Sequence, residues 1–352
     1  MADWSKSFAA SYEVATVDRL TGEETGLVAG VLPGGRISRN DDTGTKESGS
    51  LSCIDAPSFG ASLVRVYLVA DFGGGDVERA ALGTFNPTVS TVPHGDVSQS
   101  TSIELDGRLI ELSADAFDAP LTVAAGADTV ATVVGILQDA GFDVVQRDSS
   151  THTISQDRSY GVSGDETKLS VVNDLLDLAG FCAVRCDALG RAILERYRVP
   201  SERSPSWSFI EGEDARFLRS TPETLDASDV ANVVRCVYES EESTVVGVAT
   251  DDDPASPYST ISKGRRITKT YSYTDGVSQA EADSKAAELL RTQQSVIRKV
   301  SISHVYVPVT IGDAVDLDYP SAGVSGRFAI RTQEITLGEG CLISADLKAY
   351  VR

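Results

Sequence analysis

The sequence predicts a β-dominated α+β fold, with two antiparallel β-barrel domains and a small α/β insert between them. Three observations lead there. Runs of alternating apolar and polar residues, closed by Gly and Asp turns, occupy both ends of the chain. Helical spacing of apolar residues first appears past residue 118, and there a helix-strand phrase is written twice. At 352 residues the chain exceeds what one hydrophobic core usually serves, so several domains are expected.

Residues 1–117 read as the first β domain. Tyr12-Glu13-Val14-Ala15-Thr16-Val17 alternates, and Thr21-Gly22-Glu23-Glu24 turns the chain. Leu63 to Ala70 is rich in β-branched and aromatic residues, Gly73-Gly74-Gly75-Asp76 supplies turn residues tolerant of positive φ, and the chain returns to Leu82-Gly83-Thr84-Phe85. Ile103-Glu104-Leu105 and Leu109-Ile110-Glu111-Leu112, joined at Asp106-Gly107, are expected to complete the antiparallel set.

Residues 118–196 form the insert. Val130, Val133, Val134 and Leu137 share one helix face, and Gly141 stops the helix before the strand Phe142-Asp143-Val144-Val145. Leu169, Val172, Leu175 and Leu176 repeat the pattern up to Ala179-Gly180-Phe181, followed by the strand Ala183-Val184-Arg185 and a hairpin at Asp187-Ala188-Leu189-Gly190. Two copies are too few for a stacked array, so a compact duplicated unit is expected.

Residues 197–352 return to strands, with one helix at 278–294 packed on a closed or nearly closed barrel. Asn232 to Tyr238, Thr244 to Ala249 and Arg265 to Tyr273 precede the helix, whose start Ser278-Gln279-Ala280-Glu281 is a capping box. Ala282, Ala286, Leu289 and Leu290 give it a narrow apolar stripe. Strands at Val300 to Val307, Ala314 to Tyr319, Gly326 to Ile335 and Leu342 to Val351 follow.

Charge narrows the function. Lys and Arg total 31 against 52 Asp and Glu, a formal charge of -21, which repels phosphate backbones and argues against sequence-specific DNA binding. The start Met1-Ala2-Asp3-Trp4 lacks a secretory pattern, and no apolar run is long enough to span a bilayer, so cytosolic synthesis without membrane association is expected. Cys53, Cys182, Cys186, Cys236 and Cys341 are odd in number and scattered, which fits reduced buried thiols.

Chemical motifs are weak. Cys182 and Cys186 lack a second ligand pair at zinc spacing, and His94, His152 and His304 share no local motif. Gly323-Val324-Ser325-Gly326 precedes a strand where a nucleophile elbow needs a helix. Asp251-Asp252-Asp253-Pro254 lacks the Gly and distal Glu of a calcium loop, and no glycine pattern suits a nucleotide phosphate. No catalytic, cofactor-binding or metal-ligating residue is therefore nominated, and no cofactor or enzymatic activity is expected.

The order of elements resembles the tail-tip baseplate hub proteins of long-tailed bacteriophages and prophages, a family that includes the contractile-phage baseplate hub. The resemblance rests on the hairpin from Val64 to Leu82-Gly83-Thr84-Phe85, the turn Asp106-Gly107-Arg108-Leu109, and the helix ending in Ala140-Gly141-Phe142. It continues through Ser256-Pro257-Tyr258, Gly264-Arg265, the helix Ser278 to Gln294, Ile311-Gly312-Asp313-Ala314-Val315, and Gly326-Arg327-Phe328-Ala329-Ile330. It spans most of the chain through short elements. It implies two tail-tube-like barrel domains, a homotrimeric ring, and a structural role joining the tail tube or distal tail protein to the spike or fibre. Location in the virion tail, after assembly in the bacterial host cytoplasm, is implied with it.

In the strand Ala314-Val315-Asp316-Leu317-Asp318-Tyr319, alternation puts Asp316 and Asp318 on one face. These two are the candidate acidic channel-facing residues, on a surface expected to let DNA pass without binding it, the alternative being an ordinary solvated barrel exterior. The alternative is a host cell-surface adhesin, which needs an exposed aromatic platform, whereas the only tryptophans, Trp4 and Trp207, lie far apart in sequence. A tail-associated cell-wall hydrolase is a third reading, for which no catalytic constellation stands out.

Overall fold

A strand buried on both faces needs an unbroken apolar run, and Leu63–Asp71 is one: every residue from Leu63 to Leu68 is buried, including Arg65, whose guanidinium is hydrogen-bonded. It is a central strand of a large sheet. In chain order the computed structural model contains β1 (Ala9–Val17), β2 (Glu24–Leu27), β3 (Val31–Asn40), β4 (Glu47–Ile54), β5 (Leu63–Asp71), β6 (Val77–Thr91) and β7 (Ser100–Gly107). The one-turn helix α1 (Ile110–Ser113), β8 (Leu121–Val123), α2 (Thr129–Asp139), β9 (Val144–Gln146), β10 (Arg158–Tyr160), α3 (Lys168–Leu178), β11 (Arg185–Cys186) and β12 (Ala192–Leu194) come next. Then come β13 (Trp207–Ile210), β14 (Glu223–Asp226), β15 (Val233–Glu239), β16 (Thr244–Thr250), α4 (Thr260–Lys263), β17 (Thr268–Tyr273) and α5 (Gln279–Gln294). The chain finishes with β18 (Val296–Val305), β19 (Ala314–Tyr319), β20 (Val324–Leu337) and β21 (Leu342–Val351). The structure describes all residues except 1, 55–56, 92–99, 162–165, 219–222, 227–229, 240–243, 257, 274–276, 295 and 352. Strand dominates, as expected.

The chain forms two compact units, residues 1–220 with 302–346, and residues 221–301 with 347–352. In the first, the sheet order is β21-β20-β3-β4-β7-β6-β5-β1-β2, with β19 on β20 and β13 parallel to β19. The late strand β20 thus joins the early strand β3, in the register Thr332↔Asn40 to Leu337↔Gly35. Strands that follow the insert in sequence continue the sheet that precedes it.

This sheet curls around one core that includes Val14, Ile37, Leu68, Phe85, Ile103 and Ile335. Its ends approach, and Tyr12 of β1 donates through its hydroxyl to Gly338 O, just past β20, at 2.8 Å. They do not pair, so the barrel expected here is an open one. The reason lies in β3: Pro33 has no N–H, Gly34 takes φ 99°, and the β3–β4 register shifts between Leu32 and Arg36. That stretch offers β1 no ladder.

A second correction concerns Leu109 to Leu112, expected as a strand. The chain leaves β7 at Gly107 and makes the single turn α1, held by Arg108 and Glu111 (Nε–Oε1 3.3 Å) and by Asn86 donating to Glu111 at 3.0 Å.

The insert has a core of its own around Val133, Leu137, Val172, Leu176, Phe142 and Phe181. Both helices are capped alike. Asp128 accepts from Ala131 N (2.9 Å) and Thr167 from Ser170 N (3.2 Å). At the other ends Gly141 (φ 81°) and Gly180 (φ 71°) reverse the chain, so that Phe142 N–H reaches Leu137 O and Phe181 N–H reaches Leu176 O. The duplication read in the sequence is a repeated Schellman stop, each placing a phenylalanine in the core.

In the second unit, β15 lies between β16 and β17, antiparallel to the first and parallel to the second. This small mixed sheet replaces the antiparallel barrel expected there, because residues 251–267 carry the chain across to the far edge of β15. Helix α5 packs Ala282, Ala286 and Leu290 on Val234, Cys236 and Tyr238. The approach is so close that a Cβ on Gly247 would sit 2.1 Å from Ala282 O. The capping box forms, with Ser278 N–H on Glu281 at 2.9 Å and Glu281 N–H on Ser278 Oγ at 3.3 Å.

Arg39 of β3 is buried and reaches three other strands. It donates to Glu47 on β4 (3.1 Å), to Gln333 on β20 (3.1 Å) and to Leu82 O on β6. Burial pushes the fully enclosed Glu47 carboxyl upward and Arg39 opposes that shift, so truncating Arg39 strands a buried acid. Arg39→Ala is expected to cost about 3–5 kcal/mol in denaturant unfolding. Adding Glu47→Gln is expected to recover part of that loss, and equal stability of the two variants contradicts the account.

Candidate channel-facing surfaces

Strand β19 alternates as its sequence requires: Val315, Leu317 and Tyr319 are buried, Asp316 is half-buried and Asp318 exposed. Its neighbours decide what the two carboxylates can do. Register sets Asp316 opposite Arg327 of β20, and the guanidinium grips it twice, at 2.7 and 2.9 Å, while donating to Arg203 O at 2.7 Å. Asp316 is thereby neutralised, and its carboxylate raises the Arg327 pKa. Asp318 stands between Ser325 of β20 and the exposed Ile210 of β13.

A broader polar surface lies on the outer face of β20-β3-β4-β7-β6. Register aligns Glu334, Ser38, Ser48, Asp106 and Asn86 in one row, and Thr336, Arg36, Ser50, Glu104 and Thr88 in the next. Glu104, Asp106 and Glu334 are exposed and border a shallow cavity of about 260 Å³. Its floor is Gly49, where a Cβ would meet Arg36 O at 2.6 Å. Sequence reading missed this surface because each row draws single residues from separate strands; period-2 alternation in each strand was the available signal.

The residues weighed for chemistry are engaged structurally. Cys53, Cys186, Cys236 and Cys341 are buried free thiols and Cys182 is half-buried. Burial raises all five, Cys341 to about 11, so they stay protonated and unreactive. Asp251 is buried and its carboxylate accepts from Ser256 Oγ (2.6 Å) and Asp253 N (3.1 Å), which folds the acidic loop on itself. His152 lies in an irregular stretch, its Nδ1 2.8 Å from Thr129 Oγ1, and His94 falls outside the described residues. Among the described residues no three of His, Cys, Asp and Glu are placed to hold a metal, and no helix is long and apolar enough to cross a membrane.

Both tryptophans serve one core. Trp4 is buried in a box of Phe8, Phe72 and Tyr306, with centroids 4.8–5.7 Å apart, and Trp207 packs half-buried on the same cluster.

No protein-family model matches the chain, and no curated protein matches its sequence. Solved structures do match. The tail protein from Neisseria meningitidis MC58 superposes with a TM-score of 0.67 at 13% identity, over 96% of this chain and 96% of that one. This chain shares the fold of that tail protein. The 43 kDa tail protein of prophage MuSo2 from Shewanella oneidensis gives a TM-score of 0.62 at 10% identity, covering 96% and 98%. The prophage tail protein gp18 from Listeria monocytogenes EGD-e gives 0.57 at 14% identity, covering 96% and 94%. In all three the tail-protein fold runs nearly end to end in both chains.

His304 of β18 is buried. Its Nδ1–H donates to Val305 O at 2.7 Å, its ring lies 4.9 Å from that of Phe209, and Nε2 finds no partner among the described residues. Burial drops its pKa from 6.5 to about 4. The unfolded chain takes up a proton first as pH falls, so the stabilisation is complete above pH 6.5 and drains away down to pH 4. The expected loss is about 3 kcal/mol, and His304→Leu is expected to flatten that part of the stability-pH curve. An unchanged slope in chemical denaturation across the window refutes the assignment.

Proposed function

We propose that the chain is a structural, non-enzymatic baseplate hub protein of a phage or prophage tail. Three copies close a ring that joins the tail tube or distal tail protein to the spike or fibre and lets DNA pass. The carrying observation is a tail-protein fold that accounts for 96% of this chain and 96% of the Neisseria tail protein. In this reading each chain supplies one open, tube-like barrel and a smaller sheet-and-helix unit, the ring is assembled in the host cytoplasm, and it resides in the virion tail.

The surface facing the channel is the polar sheet face carrying Glu104, Asp106 and Glu334, with Asp318 and the Arg327-bound Asp316 on a second acidic strand. A channel that transmits DNA must not hold it. Like charge at the wall prevents adhesion, and a formal charge of -21 per chain extends that repulsion beyond any single pair. The adhesin alternative is disfavoured by Trp4, which is shut in its aromatic box and unavailable as a sugar platform.

Light scattering of the purified chain is expected to give the mass of a trimer, with rings in negative stain. A ring carrying Glu104→Lys, Asp106→Lys and Glu334→Lys is expected to retain duplex DNA at low salt, where the wild-type ring releases it. Tight DNA binding by the wild-type ring at ~0.15 M salt sinks the channel assignment.

A further inference from the structure

The open seam of the curled sheet is built from an unpaired strand edge and an apolar cavity. Val28 N–H bonds Val14 O at 2.7 Å, which fixes the parity of β1: its even-numbered residues aim their N–H and C=O groups away from β5. Hairpin strand β2 takes up only the far half of that edge, pairing at Ala15, Thr16 and Val17. Beside Ala10 and Tyr12 there is no strand among the described residues. Below that edge lies a cavity of about 360 Å³ lined by Tyr12, Val14, Val31, Leu51 and Leu337. The opposite lip is Leu32 and Pro33, and Pro33 has no N–H to complete a ladder across the gap.

The same unit carries the reverse feature. Leu20, at the tip of the β1–β2 hairpin, is 93% exposed, and Leu27, in the edge strand β2, is 63% exposed. All four residues of β2 are exposed. The hairpin cannot fold back into its own seam, because β2 is already committed to Ala15–Val17. The cavity rim carries one carboxylate, the exposed Glu339, while the carboxylates beside the hairpin are engaged. Glu13 and Glu24 share Arg79, at 2.8 and 3.0 Å, and the Asp18 carboxylate takes the N–H groups of Leu20 and Thr21.

We infer that the seam receives the β1–β2 hairpin of a second copy of this chain. The incoming strand pairs with the free edge at Ala10 and Tyr12, and its leucines fill the apolar cavity. A contact between two different surfaces is head-to-tail, the type that generates rings, so the inference rests on the ring reading above and supplies its joint.

The test is self-association of the full chain by light scattering across a concentration series. In Leu20→Asp with Leu27→Asp, both replaced side chains face solvent in the isolated chain. The melting temperature is therefore expected to hold while association weakens by about 100-fold. Ala10→Pro removes an N–H that β5 does not use and is expected to weaken association in the same direction. Rings that survive both variants overturn the seam contact and leave the ring reading standing. A wild-type chain that stays monomeric at every concentration overturns the ring, and the seam contact with it.

Discussion

The architecture of the first unit depends on one buried cation. Arg39 sits on β3, yet its guanidinium reaches the backbone of β6, which lies two strands further along the sheet than its neighbour β4. An arginine spans that distance only if the sheet is curled, so the hydrogen bonds to Glu47, Gln333 and Leu82 O hold the curvature as well as the charge. A buried guanidinium without those acceptors costs several kcal/mol of desolvation, and a flatter sheet leaves it without them. Gln333 extends the tie by donating to Val309 O at 3.1 Å, which draws in the loop ahead of β19.

The same device fastens the insert. Arg65 donates to Thr84 Oγ1 and Leu189 O, Thr84 donates to Ala188 O, and Arg108 donates to Gly190 O and Gly141 O while lying over the Phe142 ring. Four of the five acceptors are main-chain carbonyls of the insert. Gly190 is required at that contact, since a Cβ there would sit 2.7 Å from Arg108 Cδ. The hairpin tip of the insert is therefore docked by fixed backbone geometry.

Local chemistry was legible and long-range pairing was not. The twin stops at Gly141 and Gly180 follow from residues within one helical turn, and so does the capping box at Ser278 and Glu281, so both could be read directly. The continuation of β3 by β20 joins residues 35–40 to 332–337, and nothing in either strand names its partner. Pro33-Gly34-Gly35 did carry a readable signal, a strand edge unable to close, which the alternation on either side concealed. For Asp316 the face was legible from alternation, whereas the neutralising Arg327 depends on the register of the β19–β20 hairpin. The acidic sheet face needed the register of five strands at once.

The charge of the chain bears on how copies meet. With a formal charge of -21 on each, bringing several together works against Coulomb repulsion over about a Debye length, ~8 Å at physiological salt. Contacts between copies must then come from terms that charge does not govern, namely apolar burial and main-chain hydrogen bonding. The seam offers both, and Glu13, Glu24 and Asp18 beside it are already held by Arg79 and by the turn at Asp18, which leaves Glu339 as the carboxylate on the cavity rim. In the proposed ring, assembly and passage place opposite demands on the surface: the joint needs silent charge, and the channel wall needs open charge. On the curled sheet the two are separated by face: buried residues such as Leu51 and Leu337 line the seam, and exposed Glu104, Asp106 and Glu334 lie on the outer face of the same strands or their neighbours.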